Sequence, residues 1–88
     1  MVNNSIIRRF YTSYGYFQAM SEFNLTDSFI QFIDEAYEIF ASLGFKQFME
    51  FEEIIDDVWE DEYNIRDDVD MIDIVEQIED KFRNFIYD

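Results

Sequence analysis

Cysteine, histidine and proline are missing from this 88-residue chain, glycine occurs only twice, and basic residues number only six. Each scarcity closes off some chemistry. Without cysteine there is no disulfide framework, so a small secreted scaffold is not expected and the cytoplasm is the default compartment. Without cysteine and histidine the chain lacks the usual ligand sets for zinc, haem and iron–sulfur clusters. It also lacks a thiol nucleophile and an imidazole base for a Ser-His pair. The segment from Asp61 to Asp73 is rich in acids, but no glycine follows Gly44, so the turn of an EF-hand calcium loop cannot be built there. Weak, diffuse Mg²⁺ or Ca²⁺ binding is expected; a dedicated metal site and a cofactor are not. Arg8 and Arg9 are followed by no long apolar run, so neither a signal peptide nor a membrane span is expected.

What is present is acid and aromatic side chain. Twenty-one Asp and Glu against six Lys and Arg set the net charge at −15, while half the residues are hydrophobic and a fifth aromatic. Hydrophobicity on that scale separates the chain from acidic disordered tails, and its length makes residues 1–88 one domain. A domain of this length has a radius of gyration of about 12 Å, hence a body roughly 30 Å across. Duplex DNA carries about 18 charges over that length, at one per about 1.7 Å of axis. Self-repulsion of this size lowers the stability of a compact state, and the aromatic core is the feature that compensates.

Hydrophobic periodicity predicts an all-α domain of about four helices packed around the second. From Ile6 to about Met20, residues Ile6, Ile7, Phe10, Tyr14 and Phe17 share one helical face, and Asn3, Asn4 or Ser5 can cap it. Gly15, amid Tyr, Phe and Thr, also suits a short hairpin, which leaves an α+β fold as the alternative. In the second helix Phe29, Ile33, Ala36, Phe40 and Leu43 recur in steps of four and three. Ile30, Phe32, Tyr37 and Ile39 widen that arc past half the circumference, so this helix is expected to be the most buried. Thr26, Asp27 or Ser28 can cap it, Ser28 and Gln31 as a capping box, and Gly44 stands where a left-handed stop belongs. The third helix is expected from about Lys46 to Tyr63. The fourth, capped by Asp67 or Asp68, carries Met71, Ile74, Val75, Ile78, Phe82, Phe85 and Ile86 inward, with Lys81 and Arg83 near its negative C-terminal end.

The functional signal lies in the third and fourth helices. Fifteen of the twenty-one acids fall between Glu50 and Asp80, with Arg66 the only base in the interval. Read as a helix, Phe48, Phe51, Ile54, Ile55, Val58 and Trp59 occupy one sector. Glu50, Glu53, Asp57, Glu60 and Asp61 occupy another. Asp70, Asp73, Glu76 and Asp80 repeat the pattern. Solvated helices ordinarily mix signs, because like charges at i,i+3 and i,i+4 destabilise them, and solubility needs a net charge of only about 2–8 in magnitude. Paired carboxylates can do acid–base or glycosidic work only in contrasting environments. These lie on solvated faces, so no enzyme is expected. The asymmetry points instead to a strongly basic partner, and nucleic-acid-binding grooves are the commonest surfaces of that kind. The bland alternative makes the acids a solubilising surface, with Arg8 and Arg9 as salt-bridge partners for the acidic helices.

In size, charge and these two rows the sequence resembles the small acidic DNA-mimic proteins of phages and mobile elements. That class includes anti-restriction and anti-CRISPR inhibitors and proteins that occupy the DNA site of glycosylases or nucleoid proteins. The resemblance implies that the chain binds and blocks a basic nucleic-acid-binding protein, such as a nuclease or a CRISPR or restriction complex, in a bacterial cytoplasm. It implies no direct contact with nucleic acid or membrane. An immunity protein or antitoxin against a cationic nuclease is the runner-up, without the Tyr-Tyr-Pro motif of the colicin nuclease immunity proteins. A helical assembly subunit is the third reading; there Tyr11, Tyr16, Tyr63 and Tyr87 would be exposed and would drive self-association, a homodimer included.

Overall fold

The computed structural model describes residues 3–61 and 64–87. They form four helices: α1 (Asn4–Met20), α2 (Leu25–Leu43), α3 (Phe45–Asp56) and α4 (Met71–Tyr87). Among the described residues there is no strand, only an isolated antiparallel bridge between Trp59 and Ile65. The radius of gyration is 12.6 Å and the body measures 36 × 26 × 17 Å.

Aromatic packing holds the bundle together. Phe10, Phe32, Phe40, Phe51 and Phe82 come one or more from each helix and all are buried. Phe10 of α1 stacks on Phe82 of α4 at 4.1 Å between ring centroids. Phe40 of α2 stacks on Phe51 of α3 at 5.1 Å. Rings of this size each bury on the order of 150–250 Å², and that burial offsets the charge repulsion. Helix α2 supplies Phe29, Phe32, Ile33, Ala36, Ile39 and Phe40 to the core and touches all three other helices. Its apolar arc is narrower than expected, for Ile30 and Tyr37 stay exposed.

The hairpin alternative near Gly15 is not what forms. Residues 4–20 are one helix, because Phe10 and Phe17 are drawn into the core at helical spacing, and Gly15 faces open space. Asn3 is the cap of α1, its carboxamide oxygen accepting from the Ile6 N–H at 3.0 Å. Asn24, rather than Thr26, Asp27 or Ser28, caps α2 by accepting from the Asp27 N–H at 3.2 Å. Ser28 falls inside the first turn, buried, with its hydroxyl donating to the Leu25 carbonyl at 2.9 Å. Gly44 ends α2 and opens α3 with φ 128° and ψ 168°, a backbone conformation essentially closed to other residues.

The third helix departs most from expectation. Apolar periodicity continues through Val58 and Trp59, yet α3 stops at Asp56. A longer helix would stack Asp57, Glu60 and Asp61 at its negative end, against the macrodipole. The chain turns instead. Val58 is fully buried, Trp59 pairs with Ile65, the Arg66 N–H donates to the Val58 carbonyl at 2.8 Å, and the Glu60 N–H to the Asn64 carbonyl at 2.9 Å. Arg66 also donates from its guanidinium to the Asp57 carbonyl at 3.2 Å. The only base of the acidic interval thus sits at the C-terminal end of α3, where a cation is favoured. Tyr63, the expected end of this helix, lies outside the described residues.

Helix α4 is capped by Asp70, not by Asp67 or Asp68. Its carboxylate accepts from the Ile72 and Asp73 N–H groups at 3.1 and 3.2 Å. Because α4 runs on to Tyr87, Lys81 and Arg83 lie before its last turn, and Arg83 pairs with Glu79 and Asp80 instead of meeting the terminal carbonyls.

Candidate acidic interface

Each helix that carries acids buries its apolar stripe against a neighbour, so most of its carboxylates are left outward. On α3 the core takes Phe51, and Ile54, Ile55 and Phe48 pack half-buried around it. Glu52, Glu53, Asp56 and Asp57 are exposed and Glu50 is half-buried. None of these five forms an ion pair among the described residues, whose ion pairs lie elsewhere. Arg9 binds Glu35 and, at 2.7 Å, Glu38, both on α2. The salt-bridge role expected for Arg9 is therefore met on α2 rather than on the acidic helices, and Arg8 has no ion pair among the described residues. Arg66 binds Asp68 at 2.7 Å, and this hydrogen bond holds the Asp68 carboxyl below its ordinary range. The same bond is the largest cause raising the Arg66 guanidinium, with Asp57 and Glu60 adding to it through space.

The expected sites divide into three groups. Glu50, Glu53 and Asp57 lie on or just past α3 and share its exposed side. Glu60 and Asp61 belong to the turn, not to a helix; Asp61 accepts from both the backbone and side-chain nitrogens of Asn64 at 3.0 Å. Asp70 is a cap, while Asp73, Glu76 and Asp80 stand exposed on α4. This last row is partly engaged within its own helix. Gln77 donates to Asp73 at 2.9 Å, and Arg83 and Asn84 both donate to Asp80. Glu76 lines a crevice of about 120 Å³ beside Tyr14 and Phe17 of α1.

Two exposed carboxylates, Glu52 and Asp56, were not in the expected set. On a helix extended through Trp59 they fall at the edge of the apolar sector, about 20–60° from that indole. Because Trp59 leaves the helix, that flank stays open and both acids join the exposed side. Five carboxylates then occupy residues 50–57, about 10 Å of helix axis. That is roughly one charge per 2 Å, close to the one per about 1.7 Å of a DNA duplex.

One carboxylate is buried and was not expected to be. Glu79 is 9% exposed. One oxygen accepts from the Tyr11 hydroxyl at 2.9 Å and the other from Arg83 at 3.2 Å. Its place one turn after Val75 and three residues before Phe82 was the available signal. Tyr11, expected to be exposed, is half-buried here, and burial first and Glu79 second push its phenol up to about 12. Tyr14 is raised too, chiefly by burial.

Compared with family models, with curated proteins and with solved structures, the chain matches none. An open groove of about 1100 Å³ between α1 and α2 is lined by Arg8, Arg9, Tyr16, Tyr37 and the acids Asp34, Glu35 and Glu38. It includes none of the nine expected acids. Among the described residues no three carboxylates are grouped to hold a metal ion, and no helix is long and apolar enough to cross a membrane.

Proposed function

We propose that this protein is an acidic nucleic-acid mimic that binds and blocks a basic DNA- or RNA-binding protein, presenting carboxylates in place of phosphates. The observation that carries the reading is the exposed side of α3. Three of the chain's arginines are engaged with Glu35, Glu38, Asp68, Glu79 and Asp80. Meanwhile Glu50, Glu52, Glu53, Asp56 and Asp57 carry no ion pair among the described residues, at a linear density near that of duplex DNA. Mutual repulsion among them lowers stability, and a cationic groove would relieve it. The target class, such as a nuclease, a CRISPR effector or a restriction enzyme, is part of the proposal.

The test uses DNA-binding proteins of the host retained on immobilised duplex at low salt. The wild-type chain should elute a small subset of them, and less as salt rises. The variant E52Q/E53Q/D56N/D57N should fold and elute far less. At about 0.2–1 kcal/mol for each exposed charge pair, the four changes together cost on the order of 1–4 kcal/mol, up to several hundredfold in affinity. Elution by the variant at wild-type concentrations would make the acids a solubilising surface and end the mimic reading.

A further inference from the structure

The exposed side of α3 is not uniformly acidic. Phe45 and Met49, one turn apart at its N-terminal end, are 78% and 46% exposed. Phe45, Met49, Glu52 and Asp56 fall within about 60° of one another around the helix axis. One straight strip therefore begins apolar and ends anionic, flanked on one side by Glu53. On the other side Phe48 reaches Tyr37 of α2, ring centroids 5.1 Å apart, so the apolar end continues onto α2 as a patch. The exposed aromatic Phe23, in the turn before α2, has no such neighbour on this strip.

We propose that this strip is a helix-docking seam whose occupant is a cationic amphipathic helix of the partner protein. The apolar side of that helix would cover Phe45 and Met49, and its Lys or Arg side chains would meet Glu52, Glu53, Asp56 and Asp57. Charge complementarity selects this occupant over a second copy of the chain. Two α3 strips laid together would set Glu52, Glu53, Asp56 and Asp57 of each copy against those of the other, with only the exposed Lys46 of each strip to pair them, and the carboxylates left unpaired make that contact costly. The proposal deepens the mimic reading and rests on it. The carboxylates steer a basic partner, as phosphates would, while the two apolar anchors decide which basic partner is held, since buried aromatic anchors dominate interface energies.

The experiment compares two synthetic peptides of about 18 residues, long enough to form a helix on contact. One has leucine along one helical face and lysine elsewhere; the other has the leucines replaced by serine at the same charge. The wild-type chain should bind the leucine–lysine peptide at least about tenfold more tightly than the serine–lysine one. F45S/M49S, whose altered side chains lie outside the core and whose melting should match the wild type, should lose that preference while keeping the weaker, salt-sensitive binding. Phe23→Ser should behave as the wild type. Unchanged preference in F45S/M49S overturns the seam and leaves the mimic reading standing. Salt-insensitive binding that survives E52Q/E53Q/D56N/D57N removes the mimic reading itself. Dimerisation of the free chain that F45S/M49S abolishes would show that a second copy is the occupant, and would overturn the proposal.

Discussion

Replacing Tyr11 by phenylalanine tests the polar pin that joins α1 to α4. The ring stays, so its edge-on contacts with Phe10 and Phe82, at 5.3 and 5.9 Å between centroids, are kept. What goes is the hydroxyl that donates to one oxygen of the buried Glu79 carboxylate at 2.9 Å. Arg83 still holds the other oxygen. A hydrogen bond to a charged group contributes about 1.5–3 kcal/mol, and the surviving Arg83 contact brings the expected loss to about 1–2 kcal/mol at neutral pH. At about 4–8 °C per kcal/mol for a domain this small, the melting temperature should fall by roughly 5–15 °C, read by circular dichroism. The loss should also depend on pH. Tyr11 is raised from 10 to about 12 in the folded protein, so above pH 10 the unfolded chain releases this proton first and holds fewer protons. Stability contributed by Tyr11 is thus complete below pH 10 and is lost as pH rises through 10 to 12. The gap between wild type and Tyr11→Phe should shrink across that window. A gap below a few tenths of a kcal/mol, or one that stays constant from neutral to strongly alkaline pH, would refute the reasoning.

Other outcomes follow from the same physics. Gly44→Ala should cost about 1–3 kcal/mol in chemical denaturation, since its backbone conformation is strained for any side chain and the added Cβ would meet the Gln47 Oε1 at 3.1 Å; a neutral result would mean the α2–α3 junction relaxes freely. Salt from low to moderate concentration should raise the wild-type melting temperature by screening the α3 acids, and raise it less in E52Q/E53Q/D56N/D57N. Equal responses would locate the repulsion elsewhere on the surface.

The sequence by itself determined the helical class and much of the core. Phe10 and Phe17 on α1, Phe29 to Phe40 on α2, and Val75, Ile78 and Phe82 on α4 recur at a period that only a helix can bury on one side, and burial of apolar surface is the main driving force of folding. Gly44 was legible as the stop of α2, but its φ of 128° and ψ of 168° are an extended positive-φ conformation and not the left-handed helical one expected. On the acidic surface, the exposure of Glu53, Asp57, Asp73, Glu76 and Asp80 followed from the same periodicity, while their role as a binding face remains the proposal above. Three features were decided only by tertiary structure. Periodicity states which side chains avoid water and not where the chain must turn, so Val58 and Trp59 read as more helix. Burial of Val58, the Trp59–Ile65 bridge and the return of Arg66 to the Asp57 carbonyl end α3 at Asp56 instead, and that early end opens the flank on which Glu52 and Asp56 stand. Glu79, which periodicity placed in neither the apolar face nor the acidic row of α4, is buried where its two donors meet it, Tyr11 from sixty-eight residues away and Arg83. Arg9 found Glu35 and Glu38 because α1 packs on α2. Each outcome depends on which surfaces meet in space, and a one-dimensional period carries no record of that.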